Sequence, residues 1–292
     1  MHRYKGRFAP SPTGPLHAGS LAVALASWLD ARAANGVWLI RIEDLDPPRT
    51  VPGAARLIVE TLKRYGLESD EPIVFQSARS DHYQAAFARL QGKGLIYGCA
   101  CSRKDVDNMI EAQSGQRVSV YPGTCAGGAP CGKPIRAYRV RVPEKEIIFF
   151  DRAADGCAQH LRRDVGDFIV KRADDLWAYQ LAVVVDDATQ GITDVVRGAD
   201  LLDNTPRQIF LQHALETSTP RYLHIPLVLN AKGEKLSKQT GAAPLDIARP
   251  ILELQRAAQH LGLGAIEAPS VEAFAKRAIE GWKGREERLP AA

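Results

Sequence analysis

The first 46 residues constrain the fold more than any other part of the chain. A short apolar run, "YKGRFAP" (residues 4–10), precedes apolar residues that recur at helical spacing between positions 21 and 29. After Asn35-Gly36, a second apolar run, "VWLIRI" (37–42), ends in the acidic stretch "EDLD". Strand, helix and strand over so short a length form a parallel βαβ unit. The chain is therefore predicted to be an α/β protein built on a parallel sheet.

The loop after the first predicted strand, "PSPTGPLHAGS" (10–20), has the composition of a ligand-binding loop. Parallel sheets bind ligands at the carboxyl ends of their strands, which places this loop beside residues 43–46. Glycine lets a ligand approach the backbone, and a helix that begins near Gly19 presents N–H groups to an anion. His17, just before that helix, can hydrogen-bond the same phosphate. A tight strand-to-helix turn with nothing bound explains the loop equally well at this point.

Helix and strand patterns alternate along the rest of the chain and are interrupted once. Helices are predicted over 53–66 and 80–94, and strands over 73–77, 167–172, 181–185, 192–198 and 226–230. The run 181–185 is apolar throughout and ends in two aspartates, which is typical of a central strand covered on both faces. Residues 98–164, rich in Gly, Pro and Cys, are predicted to be a small inserted subdomain. Residues 1–97 and 165–243 would then form the main domain, and 244–292 a short helical region.

Composition and charge exclude several classes of protein. With 45% hydrophobic and 25% charged residues, the chain is neither disordered nor collagen-like. Its longest apolar runs fall far short of the roughly 20 residues that a membrane-spanning helix needs. The N-terminus lacks the apolar core of a signal peptide, so a cytoplasmic protein is expected. The net charge of +4 permits a nucleic-acid partner without requiring one.

Four of the five cysteines lie within 33 residues, at positions 99, 101, 125 and 131. In a reducing compartment such a cluster favours a metal site over disulfides. Zinc takes four ligands in a tetrahedral shell, and thiolates suit it. Counting cysteines alone would make Cys131 the fourth ligand. Cys157 stands apart and is expected to be a small buried residue.

A lysine-bearing segment, "KLSKQ" (235–239), follows the late predicted strand. Two lysines, a serine and a nearby glycine suit a loop that carries positive charge to a polyphosphate. Read in isolation, such a segment is more often a solvated surface loop.

Taken together, "PSPTGPLHAGS" and "KLSKQ" resemble the two ATP-binding signatures of class I aminoacyl-tRNA synthetases, HIGH and KMSKS. The blocks "RFAPSPTG", "RIEDLDPPR", "AVVVDDATQGITDVVRGADLL" and "HIPLVLNAKGEKLSK" are similar to the glutamyl-tRNA synthetase group. The chain departs from the first signature at Ser20, where the family often has His or Gly. Only 53 residues follow Gln239, fewer than an anticodon-reading domain of this family requires. The chain thus resembles the shortened members that attach glutamate to the queuosine base of tRNA(Asp).

The resemblance implies a set of site residues. For ATP they are Pro10, His17, Gly19, Ser20, Lys235 and Lys238, with His17, Lys235 and Lys238 acting on the phosphates as catalytic residues. For glutamate they are Arg7, Ala9, Ser11, Glu43, Tyr179 and Arg197. For a structural zinc ion they are Cys99, Cys101, Tyr121 and Cys125, because the family pattern has a tyrosine four residues before its third cysteine. Magnesium is expected to accompany ATP.

The chemistry of glutamate agrees with that set. Its two carboxylates and one ammonium require arginines and an acid, since guanidinium binds a carboxylate through two parallel hydrogen bonds. Arg7 and Arg197 would bind the carboxylates and Glu43 the ammonium. Ser11 and Tyr179 take neutral roles by resemblance. A strand-end ion pair or a core tyrosine is the structural alternative for each residue taken alone.

Three functions follow from these patterns. The first is activation of glutamate with ATP in the absence of tRNA, and transfer of the glutamate to queuosine at the anticodon wobble position of tRNA(Asp). The second is the catalytic core of a conventional glutamyl-tRNA synthetase that charges the tRNA 3′ end. The third is a non-catalytic, zinc-stabilised RNA-binding paralogue, against which the retained His17, Glu43, Arg197 and Lys238 argue. A monomer is expected.

Overall fold

The predicted strand–helix–strand unit is present at the start of the fold. The computed structural model describes residues 3–114, 120–153, 156–230, 233–236 and 242–283. Strand β1 (Lys5–Phe8), helix α1 (Ala18–Ala33) and strand β2 (Val37–Ile42) follow one another, and β1 and β2 are parallel, with Arg7 opposite Leu39. A third parallel strand, β3 (Val74–Phe75), pairs with β2. The α/β class with a parallel sheet is thereby confirmed.

A second parallel pair lies beside this sheet. It consists of β9 (Asp194–Gly198) and β10 (Arg221–Ile225). The amide of Thr193 donates to the carbonyl of Lys5 (2.9 Å), and the amide of Lys5 donates to the Thr193 hydroxyl (2.8 Å). Strand β9 lies next to β1, so the three-stranded sheet β3-β2-β1 and the two-stranded sheet β9-β10 are adjacent.

Two of the predicted strands are wrong. Residues 181–185 belong to helix α5 (Tyr179–Thr189), in which every residue from Leu181 to Asp187 is buried. An apolar run covered on all sides fits a buried helix as well as a buried strand, so its pattern could not separate them. The strand expected over 226–230 instead ends at Ile225, because Pro226 has no N–H to continue a ladder.

The region between the two parallel units contains antiparallel sheet. Strands β4 (Ile96–Cys99), β5 (Ala137–Val140) and β8 (Phe168–Lys171) form one antiparallel sheet, and β6 (Glu146–Phe150) pairs with β7 (Gly156–His160) in a hairpin. Helix α4 (Arg103–Ser114) follows β4, and a single turn of π-helix covers 161–165. The three-stranded sheet includes residues on both sides of the boundaries predicted at 98 and 164. The division of the chain into domains at these positions stays a prediction.

The remaining helices cover the sheets. Helices α2 (Ala54–Arg64) and α3 (Ser80–Gly92) confirm the predicted ones, and α6 (Thr205–Ala214) packs against α5. Near the end of the described chain, α7 (Pro250–His260) and α8 (Val271–Lys283) both pack on α1. Helix α1 thus lies between the sheet and the C-terminal helices, with ten buried residues. None of the helices within the described ranges is long and apolar enough to cross a membrane.

Candidate active site

The start of helix α1 is fixed by His17 and Ser20. His17 is the N-cap residue, and its Nδ1 accepts a hydrogen bond from the Ser20 amide at 3.3 Å. The Ser20 hydroxyl accepts in turn from the His17 amide at 2.7 Å, which completes a capping box. Because Nδ1 is an acceptor, the proton of the neutral imidazole is on Nε2. The serine at position 20 is thus explained by helix capping.

The loop before α1 and the lysine-bearing segment meet at this helix end. Gly14 has a φ of 132°, a conformation that L side chains rarely adopt. A Cβ atom placed on Gly19 would lie 3.2 Å from the His17 ring and 3.5 Å from the carbonyl of Leu236. The two sequence signatures, more than 200 residues apart, are therefore in contact at one position.

A cavity of about 570 Å³ opens at the carboxyl ends of β1, β2 and β9. Eleven of the residues predicted for ATP and glutamate line it together: Arg7, Ala9, Pro10, Ser11, His17, Gly19, Ser20, Glu43, Tyr179, Arg197 and Lys235. Lys238 lies outside the described residues. The volume is within the range of small-molecule sites in proteins. The arrangement joins a helix N-terminus, suited to phosphate, to a buried set of arginines and one acid, suited to an amino acid.

Glu43 directly follows β2 and lines the cavity. Its amide donates to the carbonyl of Pro10 (3.0 Å), which ties the end of β2 to the signature loop. Its carboxylate lies 3.4 Å from Arg41 and is 9% exposed. Burial raises the pKa of Glu43, although Arg41 and Arg7 oppose the change. A cationic partner stabilises the ionised form of a buried carboxylate more than that of an exposed one.

Arg7 is held by an aspartate that the sequence analysis did not single out as a site residue. Its Nε and Nη2 donate to Asp187 at 3.0 and 3.3 Å, and Arg41 donates to the same carboxylate at 2.8 Å. Burial alone would raise the pKa of Asp187, but Arg7 and Arg41 outweigh it, and the pKa is lowered. The Nε and Nη2 atoms on one edge of the Arg7 guanidinium therefore bind Asp187. The Nη1 atom on the other edge could donate to a ligand in the cavity. In the sequence, the only indication of this role was the pair of adjacent aspartates at 186 and 187, which follows an apolar run.

Arg197, at the end of β9, is 4% exposed and is held by four protein contacts. Its Nε donates to His224 (2.9 Å) and its Nη1 to Gln208 (2.7 Å). Its Nη2 donates to the Thr205 hydroxyl (2.7 Å) and the Leu201 carbonyl (3.3 Å). Four of its five N–H groups thus have protein acceptors. Arg197 would meet a substrate carboxylate with one N–H group, and not with the two parallel bonds expected from the sequence.

Two further side chains complete the cavity wall. Tyr179 begins α5, and burial raises the pKa of its hydroxyl, which stays a neutral hydrogen-bonding group. Lys235 pairs with Asp200, and both residues line the cavity. The first residue of the lysine-bearing segment is therefore held at the cavity wall by an ion pair, and both partners are partly exposed.

Three of the predicted metal ligands form a cluster in the region between the two parallel units. The sulfur atoms of Cys99, Cys101 and Cys125 all lie within 4.8 Å of one another. The Tyr121 hydroxyl is 3.4 Å from Cys99 Sγ and 3.8 Å from Cys101 Sγ. Cys131 is exposed and is not among the clustered sulfurs. Three thiols with one phenol beside them fit a tetrahedral metal shell.

Arg139 lies against this cluster. Its guanidinium is 3.7 Å from the centre of the Tyr121 ring, and its Nε donates to Cys99 Sγ at 3.4 Å. Burial would raise the pKa of the Cys99 thiol, but hydrogen bonds from Tyr121 and Arg139 outweigh it and lower the pKa. Burial raises the pKa of the Tyr121 hydroxyl. A bound cation would have to reverse that rise before the phenol could act as a ligand.

Comparison with known proteins identifies the class to which this fold and cavity belong. The family model described as "tRNA synthetases class I (E and Q), catalytic domain" matches residues 4–248. The chain belongs to this family, which confirms the resemblance inferred from the sequence blocks.

Two similar relatives have the same name. The chain is 58% identical to the glutamyl-Q tRNA(Asp) synthetase of Burkholderia mallei, over 98% of each chain. It is 52% identical to the protein of the same name from Ralstonia nicotianae, over 99% of this chain and 94% of that protein. The narrower resemblance stated from the sequence is thereby confirmed.

Solved structures show the same fold. A glutamate-tRNA synthetase from Elizabethkingia anophelis is 27% identical with a TM-score of 0.73, covering 82% of this chain and 53% of that one. A glutamate tRNA ligase from Elizabethkingia meningosepticum, solved in complex with its amino acid, is 24% identical with a TM-score of 0.80. That match covers 100% of this chain and 66% of the ligase. This chain thus spans about half to two thirds of the two synthetases.

Proposed function

We propose that the protein activates L-glutamate with ATP in the absence of tRNA and transfers it to the queuosine base at the anticodon wobble position of tRNA(Asp). The observation that carries this proposal is the cavity at which the two ATP signatures meet beside Glu43, Arg7 and Arg197. The relatives named glutamyl-Q tRNA(Asp) synthetase support the choice of substrates. They match this chain over 94–98% of their own length.

Activation would require little covalent chemistry from the protein. A carboxylate oxygen of glutamate attacks the α-phosphorus of ATP, the bond to the bridging oxygen breaks, and pyrophosphate leaves with the electron pair. The protein then acts by orientation and charge stabilisation. His17, through its Nε2 proton, and the N-terminus of α1 would hold the phosphates from one side. Lys235 and Lys238 would hold them from the other, and magnesium bound to ATP supplies further positive charge.

Glutamate would lie deeper in the cavity. Its ammonium would pair with Glu43, and its carboxylates would accept from Arg7 and Arg197, with Ser11 and Tyr179 as neutral partners. Ala9 and Pro10, at the turn after β1, would let the ligand approach the backbone. In the transfer step, a hydroxyl of queuosine attacks the glutamyl carbonyl carbon, and an ester forms as AMP and a proton are released.

We also infer the architecture that supports this chemistry. The two adjacent parallel sheets, β3-β2-β1 and β9-β10, support a Rossmann-like core made of two halves with an inserted subdomain. The inserted subdomain would hold one structural zinc ion through Cys99, Cys101, Cys125 and Tyr121, where the metal would fix the fold of the insert. A protein of this activity is expected to act in the cytoplasm, and the expectation of a monomer stays a prediction.

The activation step is tested by ATP–pyrophosphate exchange with glutamate and no RNA. We expect exchange with the wild-type protein, and a loss of about 100-fold or more in kcat for Lys238→Ala. Lys276→Ala, which changes an exposed lysine on α8, is the matched control and should keep full activity. Exchange that requires tRNA would instead favour a conventional synthetase core. No exchange under either condition would favour the non-catalytic RNA-binding paralogue.

The transfer step is tested with two preparations of tRNA(Asp), one carrying queuosine and one carrying unmodified guanosine. We expect labelled glutamate to attach to the first alone. Equal labelling of both preparations would contradict the assignment to queuosine.

A further inference from the structure

A buried aspartate of the inserted region reaches the main sheet next to the cavity. Asp151 follows β6, bridges to Tyr222 of β10, and is 5% exposed. Its Oδ2 lies 2.6 Å from His224 Nδ1. It also accepts from the backbone amides of His224 (3.2 Å) and Ala153 (3.0 Å). Asp151 itself does not line the cavity, so any effect on substrate must act through another residue.

His224 transmits the position of Asp151 to Arg197. The Nε atom of Arg197 lies 2.9 Å from His224 Nε2, and the Thr205 hydroxyl, which accepts from Arg197 Nη2, lies 3.3 Å from the same nitrogen. A guanidinium N–H is always a donor, so Nε2 must be an acceptor and must carry no proton. The proton of the imidazole is then on Nδ1, where the Asp151 carboxylate accepts it. The three buried side chains thus form one chain of hydrogen bonds in which each link requires the next.

The electrostatics agree with this assignment. Burial lowers the pKa of His224, so the ring stays neutral beside the Arg197 cation. Burial would raise the pKa of Asp151, but the hydrogen bonds from the His224 side chain and from the backbone amides of Ala153 and His224 together outweigh burial and lower the pKa, so the carboxylate stays ionised. A carboxylate that accepts the Nδ1 proton selects one of the two tautomers of a neutral histidine.

We propose that Asp151 is a positioning residue for glutamate. By holding His224 in the Nδ1–H tautomer, it provides the acceptor for Arg197 Nε, one of the four acceptors that fix the guanidinium at the cavity. The inference rests on the proposed function, in which Arg197 contacts a carboxylate of glutamate. It also gives the inserted region a role in amino-acid binding that is separate from its cysteine cluster.

The variant Asp151→Asn separates this role from simple packing. The His224 amide donates to both oxygens of Asp151 at 3.2 Å, but Oδ1 also accepts from the Ala153 amide at 3.0 Å, whereas Oδ2 lies 2.6 Å from His224 Nδ1. The new amide NH₂ is therefore placed more favourably at the position of Oδ2, where it donates to His224 Nδ1. His224 would then carry its proton on Nε2, directed at the Arg197 Nε–H. Two donors would face each other across 2.9 Å.

The experiment measures ATP–pyrophosphate exchange and the tautomer of His224. For Asp151→Asn we expect KM for glutamate to rise about tenfold or more while KM for ATP stays unchanged. The ¹⁵N spectrum of labelled histidine should show the Nδ1–H form in the wild type and the Nε2–H form in the variant. Asp164→Asn, in the same region but paired with the exposed Arg163, is the matched control and should change neither reading.

A second variant makes the test independent of how well the first one folds. The side-chain oxygen of His224→Gln can accept from Arg197 without help from Asp151. Adding Asp151→Asn to His224→Gln should therefore change KM for glutamate less than Asp151→Asn does in the wild type. An Nε2–H tautomer in the wild type would overturn the proposal, as would equal effects of Asp151→Asn on both KM values. If wild-type exchange with glutamate is absent, the proposed function fails, whereas the tautomer measurement still tests the hydrogen-bond chain.

Discussion

At the scale of single residues, the cavity places charge where water is largely excluded. Arg41 is fully buried and contacts Asp187, Asp186 and Glu43. Asp187 also pairs with Arg7 and Asp186 with Arg79, whereas the ion pair of Glu43 is with Arg41, at 3.4 Å. Charges in this state are costly unless each has a partner. A substrate with both an ammonium and carboxylates would add the missing partners. The buried charges therefore lower the stability of the empty site and favour binding of an amino acid.

Glu43→Gln tests this view of the cavity. Burial raises the pKa of Glu43, so protonation stabilises the fold, and that contribution is lost as the pH rises through the raised pKa. At neutral pH the variant should therefore unfold at a higher temperature than the wild type. It should also raise KM for glutamate about tenfold or more, because an ammonium–carboxylate pair is lost. Thermal melts and exchange kinetics at pH 7 measure both effects.

The same pKa gives this prediction a pH dependence. Ionised Glu43 is the form that pairs with an ammonium, so the wild-type KM for glutamate should rise as the pH falls through the raised pKa. The KM of Glu43→Gln should lack that rise. Glu60→Gln, an exposed change on α2, is the control and should behave as the wild type. A variant that is both less stable and unchanged in KM would contradict the assignment of Glu43.

At the scale of elements, the sequence predicted local structure well where one periodicity was dominant. Helix α1 begins beside His17 as expected, since its apolar spacing and its cap are encoded within a few residues. Helix α5 was mistaken for a strand because its run from 181 to 187 is buried on every side. Periodicity reports the contrast between a buried and an exposed face, and that contrast is missing here.

Long-range pairs were beyond the sequence for a different reason. Arg7 and Asp187 are 180 residues apart, and Asp151 and His224 are 73 apart. The family blocks indicated which residues gather at the site, but no pattern along the chain states which acid holds which base. Those partners follow from the order of the strands, which brings the ends of β1, α5 and β9 together.

The cysteine cluster gives a prediction for the inserted element. Wild-type protein should bind about one zinc ion per chain, and Cys125→Ser should lose it together with part of its structure. Tyr121→Phe should weaken zinc binding, because the phenol beside Cys99 and Cys101 is removed. Metal analysis and competition with a chromophoric chelator measure both changes. Cys131→Ser is the matched control, since that thiol is exposed and lies apart from the cluster. Zinc loss in Cys131→Ser with full binding in Tyr121→Phe would assign the fourth ligand to Cys131.

At the scale of the whole molecule, one buried carboxylate joins segments that are far apart in the chain. Asp30 of α1 accepts from the Tyr4 hydroxyl at 2.5 Å and from Trp282 of α8 at 3.0 Å. It also accepts two hydrogen bonds from Arg152, at 2.6 and 2.8 Å. The start of the chain, the segment after β6 and the C-terminal helix α8 therefore meet near the end of α1. The opposite end of α1, its N-terminus, lines the cavity.

Asp30→Asn should destabilise the whole fold. The change removes the carboxylate 2.6 Å from the Arg152 guanidinium and leaves Asp194, at 4.0 Å, as its remaining acid, in a site where Asp30 is 3% exposed. Breaking a buried pair in this way costs about 3 kcal/mol or more, and urea denaturation at pH 7 measures it. Asp107→Asn, an exposed change on α4, is the control and should leave the free energy of unfolding unchanged.

The difference in free energy of unfolding between the wild type and Asp30→Asn should depend on pH, and this dependence identifies its cause. Burial would raise the pKa of Asp30, but the hydrogen bonds and charge of Arg152 outweigh it, and the pKa is lowered. The stabilisation is therefore complete above the ordinary pKa of aspartate, near 4, and is lost as the pH falls through the lowered value. The gap between wild type and Asp30→Asn should accordingly be constant from neutral pH to about pH 5 and then shrink. A gap that persists unchanged into acid would mean that Asp30 stabilises the fold by shape and not by charge.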